Sequence, residues 1–159
     1  MILVSSCLLG IHSKYDGTTM NENSLLMKYC HLGKYLPICP EQLGGLTTPR
    51  APVEIIHGSG EEVLKGIAKI KNNLGKDVTA EFRKGAEQLL YISQKMPVTA
   101  AILKERSPSC GVHKIYDGSF KHVVKEGKGV AAAMLYQHNI PVFSEEEMTE
   151  ELLRELLGL

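Results

Sequence analysis

The sequence predicts an α/β domain: a three-layer, open, mostly parallel sheet with helices on both faces, Rossmann-like, with a small hairpin insertion. Three observations carry this reading. Short apolar runs of strand length recur along the chain, ILVSS at 2–6, YLPIC at 35–39, PVTAAIL at 97–103 and IPVF at 140–143. Longer stretches with helical spacing separate them. The 159 residues suit one domain, 1–159, large enough to bury roughly 70% of its unfolded surface.

The elements follow in order. After the first strand, LLMKYCHLGKYL at 25–36 mixes helical spacing with a stop at Gly33 and leads into the second strand. Residues 62–72, EVLKGIAKIKN, read either as a helical face (Val63, Ile67, Ile70) or as a strand through the alternation of GIAKIK; the hairpin is the reading taken. The longest helical segment is 78–96, with Thr79 as its N-cap and Phe82, Ala86, Leu89, Leu90 and Ser93 near one face. Between the third and fourth strands, GKGVAAAMLYQHN at 127–139 reads as a helix that begins after glycines and ends at Asn139. In the tail, SEEEMTEELLRELL at 144–157, Ser144 with Glu147 has the spacing of a capping box. The KYDG at 14–17 and IYDG at 115–118 are two tight turns, not a repeat.

Bulk composition narrows the function. Apolar content of 43% and charged content of 23% are those of an ordinary globular protein. Eighteen basic and 18 acidic side chains cancel, which argues against a nucleic-acid coat or a polybasic membrane anchor. No apolar run approaches the ~20 residues of a membrane span. The opening MILVSSCLLG lacks a basic leader region, so the expected location is the cytoplasm. In that reducing compartment Cys7, Cys30, Cys39 and Cys110 are not expected to form disulfides.

Three of these thiols share a topological position. Cys7 follows the first strand, Cys39 closes the second, and Cys110 lies shortly beyond the third. The carboxyl ends of parallel strands share one sheet edge, where ligands bind. Any one of the three alone reads as a small core residue. Together, beside Gly and Pro, they read as a shared site. Cys30 sits inside a helical pattern and is expected to be buried. Two metal readings stay open: zinc with His113 as fourth ligand, or an iron–sulfur cluster. A third alternative makes Cys110 a redox or persulfide nucleophile near Lys104 and Arg106, for which its thiol pKa would have to be lowered.

The flanking loops supply further candidates. Glu41 by itself reads as a solvated loop carboxylate and Arg50 as a surface ion pair, but, two residues after Cys39, Glu41 is within reach of the same crevice as a general base. The glycines at 44 and 45 let a backbone approach a ligand, and Arg50 between two prolines is a rigid donor fork. Ser107 and Ser109 bracket Pro108 beside Cys110, where their hydroxyls could orient a water or a substrate. His12, His31, His57, His122 and His138 show no ligand spacing and read as surface or capping residues.

The combination SSCLLG, CPEQLGGLTTPRAPVE, DVTAEFRKGA, LKERSPSCG, IYDGSF, GKGVAAAML and IPVFSEEE resembles the thiouracil desulfidase family, over residues 2 to about 147. The resemblance implies a 4Fe-4S cluster held by Cys7, Cys39 and Cys110, with one iron left open for the sulfur of a thiolated pyrimidine. It implies catalytic roles for Glu41 and for a serine of SPSCG, Ser107 foremost. The implied reaction is a hydrolytic C–S cleavage of thiouracil to uracil. Arg50 is expected at the ring carbonyl, with Ser109 and Gly45 also at the substrate. The expected partner is a small molecule, with neither membrane nor nucleic acid involved.

Overall fold

The structure is a computed structural model that describes residues 1–18 and 22–159. Its centre is a parallel sheet of β1 (Ile2–Ser5), β2 (Tyr35–Ile38), β5 (Ala100–Leu103) and β8 (Val142–Ser144), in the order β2-β1-β5-β8. These are the four strands the apolar runs predict. Every residue of β1 and β5 is buried, because helices cover both faces of the sheet.

Alternation of side chains assigns the two faces. Leu3, Ala101 and Leu103 point into one apolar cluster with Phe82 and Leu89 of α4 (Thr79–Lys95) and Val130 and Leu135 of α5 (Val130–Gln137). Ile2, Val4 and Ile102 point into the other, with Leu26 of α1 (Ser24–Lys28) and Leu153 and Leu157 of α6 (Glu150–Leu157). The expected three layers are present.

The 53–72 region departs from the sequence reading. Residues 62–72 do not form a hairpin by themselves. Ser59 and Glu62 form a capping box that starts α3 (Gly60–Leu64). The alternating GIAKIK ends in β4 (Lys69–Asn72), which pairs antiparallel with β3 (Val53–Ile56), a strand the sequence reading missed. A second unpredicted pair, β6 (Lys114–Tyr116) with β7 (Val124–Glu126), makes a separate ribbon.

Three local expectations shift as well. Thr79 is the first helical residue of α4 rather than its cap; its amide donates to Asp77 Oδ1 and its hydroxyl accepts from the Ile70 amide. Glu147 does accept from the Ser144 amide, but that contact closes a turn, and α6 starts later behind the Thr149 cap. Cys30 is exposed, because the helix of α1 gives way at Tyr29 to a 3-10 turn that carries the thiol outward.

A short helix, α2 (Pro40–Leu43), follows Cys39 directly; Pro40 at its first position loses no hydrogen bond there. Helix α2 crosses α4 at backbone contact. A Cβ on Gly85 would lie 2.0 Å from the Pro40 carbonyl oxygen, and one on Gly44 would lie 2.0 Å from the Glu81 carbonyl oxygen. Only glycine permits this approach. It seats Cys39 and Glu41 at the sheet edge.

Candidate active site

The carboxyl ends of β1, β2 and β5 open onto a cavity of about 450 Å3. Cys7, Cys39 and Cys110 all line it, together with Glu41, Arg50 and Ser107. The three thiols reach it from different elements. Cys7 rides on a 3-10 turn after β1, Cys39 caps α2, and Cys110 sits in the turn beyond β5.

Burial pushes the Cys7 thiol up to about 11, with the neighbouring Cys39 adding to the rise and Lys104 opposing it. Burial likewise raises Cys39, and it raises Cys110 to about 12, against hydrogen bonds from Ser5 and Ser109. Cys7 feels the charge of Cys39, and Cys110 that of both Cys39 and Cys7, the electrostatic mark of their convergence. A redox or persulfide nucleophile at Cys110 requires the opposite shift, so that reading is not supported.

The Cys110 turn is held from three sides. Ser107 Oγ accepts from the amides of Ser109 (3.2 Å) and Cys110 (3.0 Å), and the Gly111 amide donates to the Ser107 carbonyl at 2.8 Å. The free amides at the start of α5 meet the outer carbonyls of the turn: Val130 donates to Pro108 and Ala131 to Ser109, each at 2.9 Å. A Cβ on Gly129 would strike the Ser109 backbone at 2.5 Å, so glycine is required where α5 begins. On the third side is Glu105, only 2% exposed. Its Oε1 accepts three consecutive amides, Val112, His113 and Lys114, at 2.8 to 2.9 Å. Between Glu105 and the turn, Arg106 takes a left-handed backbone (φ 63°), and its amide is held by the Lys114 carbonyl.

A polar chain runs along the cavity wall. The Ser107 and Ser109 hydroxyls are 3.0 Å apart, and Ser109 Oγ donates to Glu41 Oε2 at 3.2 Å. Ser109 Oγ also lies 3.6 Å from Cys110 Sγ. Glu41 Oε1 accepts from Arg50 Nε at 3.4 Å, with both side chains largely buried. One chain of contacts therefore joins Arg50, Glu41, Ser109 and Ser107 beside the three thiols.

Three expected residues do not line the cavity, and the first, Ser109, is 2% exposed and sits behind the wall, reaching the site only through Ser107 and Glu41. Gly45 does not line the cavity; its amide closes the end of α2 on the Gln42 carbonyl. His113, the expected fourth zinc ligand, is about half exposed and bonds Glu147 Oε2 at 2.6 Å. The turn that aims Cys110 inward carries His113 outward. Among the described residues no three His, Cys, Asp or Glu side chains crowd one point closely enough to hold a single metal ion. Three separated thiols with no fourth side chain do not make a closed tetrahedral zinc site. They do suit a polynuclear cluster, in which each thiolate binds its own iron.

Several lining residues escaped the sequence reading. Glu105 and Glu54 are buried carboxylates that bind backbone amides, Glu54 accepting from Gly118 (2.9 Å) and Phe120 (3.2 Å). They tie the walls of the cavity to the sheets. Tyr116 and His122 form an edge-to-face pair at 6.4 Å on the β6–β7 ribbon and face the same cavity. Their only sequence signal was the IYDG turn, whose partner strand was not recognised.

An open parallel sheet with three thiols, one buried and two half-buried, and a carboxylate at its carboxyl edge defines an α/β protein of the strand-end, crevice-binding class. Within that class the chain belongs to the 2-thiouracil desulfurase family, whose model matches residues 2–147. It is 45% identical over 152 residues to the uncharacterized protein YbbK of Bacillus subtilis (strain 168), covering 96% of this chain and 100% of YbbK. A solved structure of a 4Fe-4S-dependent thiouracil desulfidase, TudS, is 40% identical and superposes with a TM-score of 0.85 over 99% of this chain and 98% of its own.

Proposed function

We propose that this protein removes sulfur from a thiolated pyrimidine, thiouracil to uracil, by hydrolytic C–S cleavage, using a 4Fe-4S cluster held by Cys7, Cys39 and Cys110. The observation that carries the reading is the convergence of three strand-end thiols and Glu41 on one cavity, in a member of the desulfurase family. The likeness to a 4Fe-4S-dependent enzyme supports the choice of cofactor.

When bound, such a cluster supplies an iron without a protein ligand, a Lewis acid for the substrate sulfur. The chain supplies the rest. Glu41 takes a proton from water at Oε2, the oxygen that already accepts from Ser109. The water oxygen, aligned by the Ser107 hydroxyl that Ser109 supports from behind, attacks the ring carbon that bears sulfur. The C–O bond forms, the C–S bond breaks, and the proton held by Glu41 is returned. One thiocarbonyl and one water become one carbonyl and one hydrogen sulfide, with no net electron transfer.

The test is anaerobic purification with iron and acid-labile sulfide analysis, followed by a thiouracil assay for uracil and sulfide. Near-equal iron and sulfide, lost in Cys7→Ala, Cys39→Ala and Cys110→Ala but kept in Cys30→Ala, is the expected result. Colourless protein, or a cluster that survives all three substitutions, would overturn the proposal.

A further inference from the structure

Every N–H of the Arg50 guanidinium already has an acceptor within the chain. Nε donates to Glu41 Oε1 at 3.4 Å. Nη1 donates to the Thr47 carbonyl at 3.3 Å and to Thr48 Oγ1 at 2.8 Å. Nη2 donates to the Ser13 carbonyl at 2.9 Å and contacts Cys39 Sγ at 3.9 Å. A guanidinium has five N–H groups, and these five contacts account for all of them. The side chain is only 7% exposed. Turning it toward a substrate carbonyl would strip buried partners of their donors, at a cost one new hydrogen bond does not recover.

The same geometry gives Arg50 a different task. It touches both the proposed base, Glu41, and a proposed cluster ligand, Cys39, as Ser109 does for Glu41 and Cys110. We propose that Arg50 is a positioning residue: it holds the Glu41 carboxylate at a fixed distance from Cys39 and donates to the Cys39 sulfur, drawing charge from the ligand and raising the reduction potential of the cluster. Hydrogen bonds to ligand sulfur are among the determinants of cluster potential. A lysine keeps the charge but lacks the planar fork, so it cannot serve Glu41, Ser13 and Cys39 together. This inference rests on the cluster reading above.

The experiment compares wild type, Arg50→Lys and Arg50→Gln after anaerobic loading, with an EPR-monitored redox titration beside steady-state kinetics. Both variants should shift the potential to more negative values. They should lose kcat by about 10–100-fold, the usual loss when an outer-layer partner of a metal ligand is removed, with little change in KM. A rise in KM with kcat and potential unchanged would overturn the inference and return Arg50 to the substrate; unchanged potential and kinetics would also overturn it. If both variants fail to fold or to hold a cluster, Thr48→Val decides, since it removes one support of the guanidinium and leaves Arg50 in place. A smaller negative shift with reduced kcat supports the role, and wild-type values reject it. Wild-type protein that holds no cluster overturns the function itself, which separates that failure from this one.

Discussion

Two carboxylates at the sheet edge do different work, and substitution separates them. Glu105 loses stabilisation through burial but regains more from the Lys114 and His113 amides, the Ser144 hydroxyl and the Val112 amide, so its carboxyl is held below its ordinary value of 4.5. A carboxyl lowered on folding adds stability above its unfolded pKa, and that stability is lost as pH falls through the folded value. Urea midpoints measured from neutral pH down to about pH 3 should therefore drop more steeply in wild type than in Glu105→Gln. At neutral pH the variant should be less stable by about 1–3 kcal/mol, the range for hydrogen bonds to a charged acceptor. Equal acid slopes for the two proteins would reject the assignment. Glu41 lines the cavity, and its Oε2, which accepts from Ser109, keeps a second lone pair for a proton. Under the proposed general-base role, Glu41→Gln should cut turnover by about 10²–10⁴-fold while iron and sulfide content stay at wild-type values, because a base moves protons and holds no metal. A Gln variant with full turnover would remove the general-base role.

At the scale of elements, the crossing of α2 and α4 is a point where local preference and packing disagree. Alanine is the better helix former by about 1 kcal/mol, so propensity alone makes Gly85→Ala stabilising. The crossing predicts the reverse, since the new Cβ would lie 2.0 Å from the Pro40 carbonyl oxygen. Overpacking of this kind costs about 1–3 kcal/mol, and it would also move Cys39 and Glu41 on α2. Thermal or urea unfolding gives the sign directly, and a stabilised variant would mean that the helices separate freely. The β5–α5 junction uses another device. There the unpaired amides of a helix start meet the carbonyls of the SPSCG turn, so the strand, the turn and the helix hold Cys110 as one piece.

For the whole molecule, rigidity should follow strand position. Strands β1 and β5 occupy the middle of the sheet and are buried on both faces, whereas the β6–β7 ribbon is largely exposed and pairs outside that sheet. Hydrogen exchange should find the slowest amides in β1 and β5, with protection close to the global unfolding free energy, and faster exchange in β6 and β7. Equal protection in the ribbon would show that the wall bearing Tyr116 and His122 is as stable as the sheet. No helix among the described residues is long and apolar enough to cross a membrane.

Much of this was legible from order and spacing alone. Apolar runs bounded by turn residues located the four parallel strands, since a strand buried on both faces must be almost wholly apolar, as β5 is throughout and β1 is up to Ser5. Parallel topology then brought Cys7, Cys39 and Cys110 to one edge without any knowledge of side-chain positions. Contacts that depend on orientation were not legible. The sequence could not say that Cys30 would face outward, that His113 would turn to Glu147, or that Gly45 would close a helix rather than line the cavity. Nor could it pair Val53–Ile56 with Lys69–Asn72, because antiparallel partners with a helix between them leave only weak periodic signals in either strand. Periodicity reports which face of an element is buried. Which polar groups meet across elements, as Arg50, Glu41 and Ser109 do, is decided only when the packed sheet and helices fix their distances.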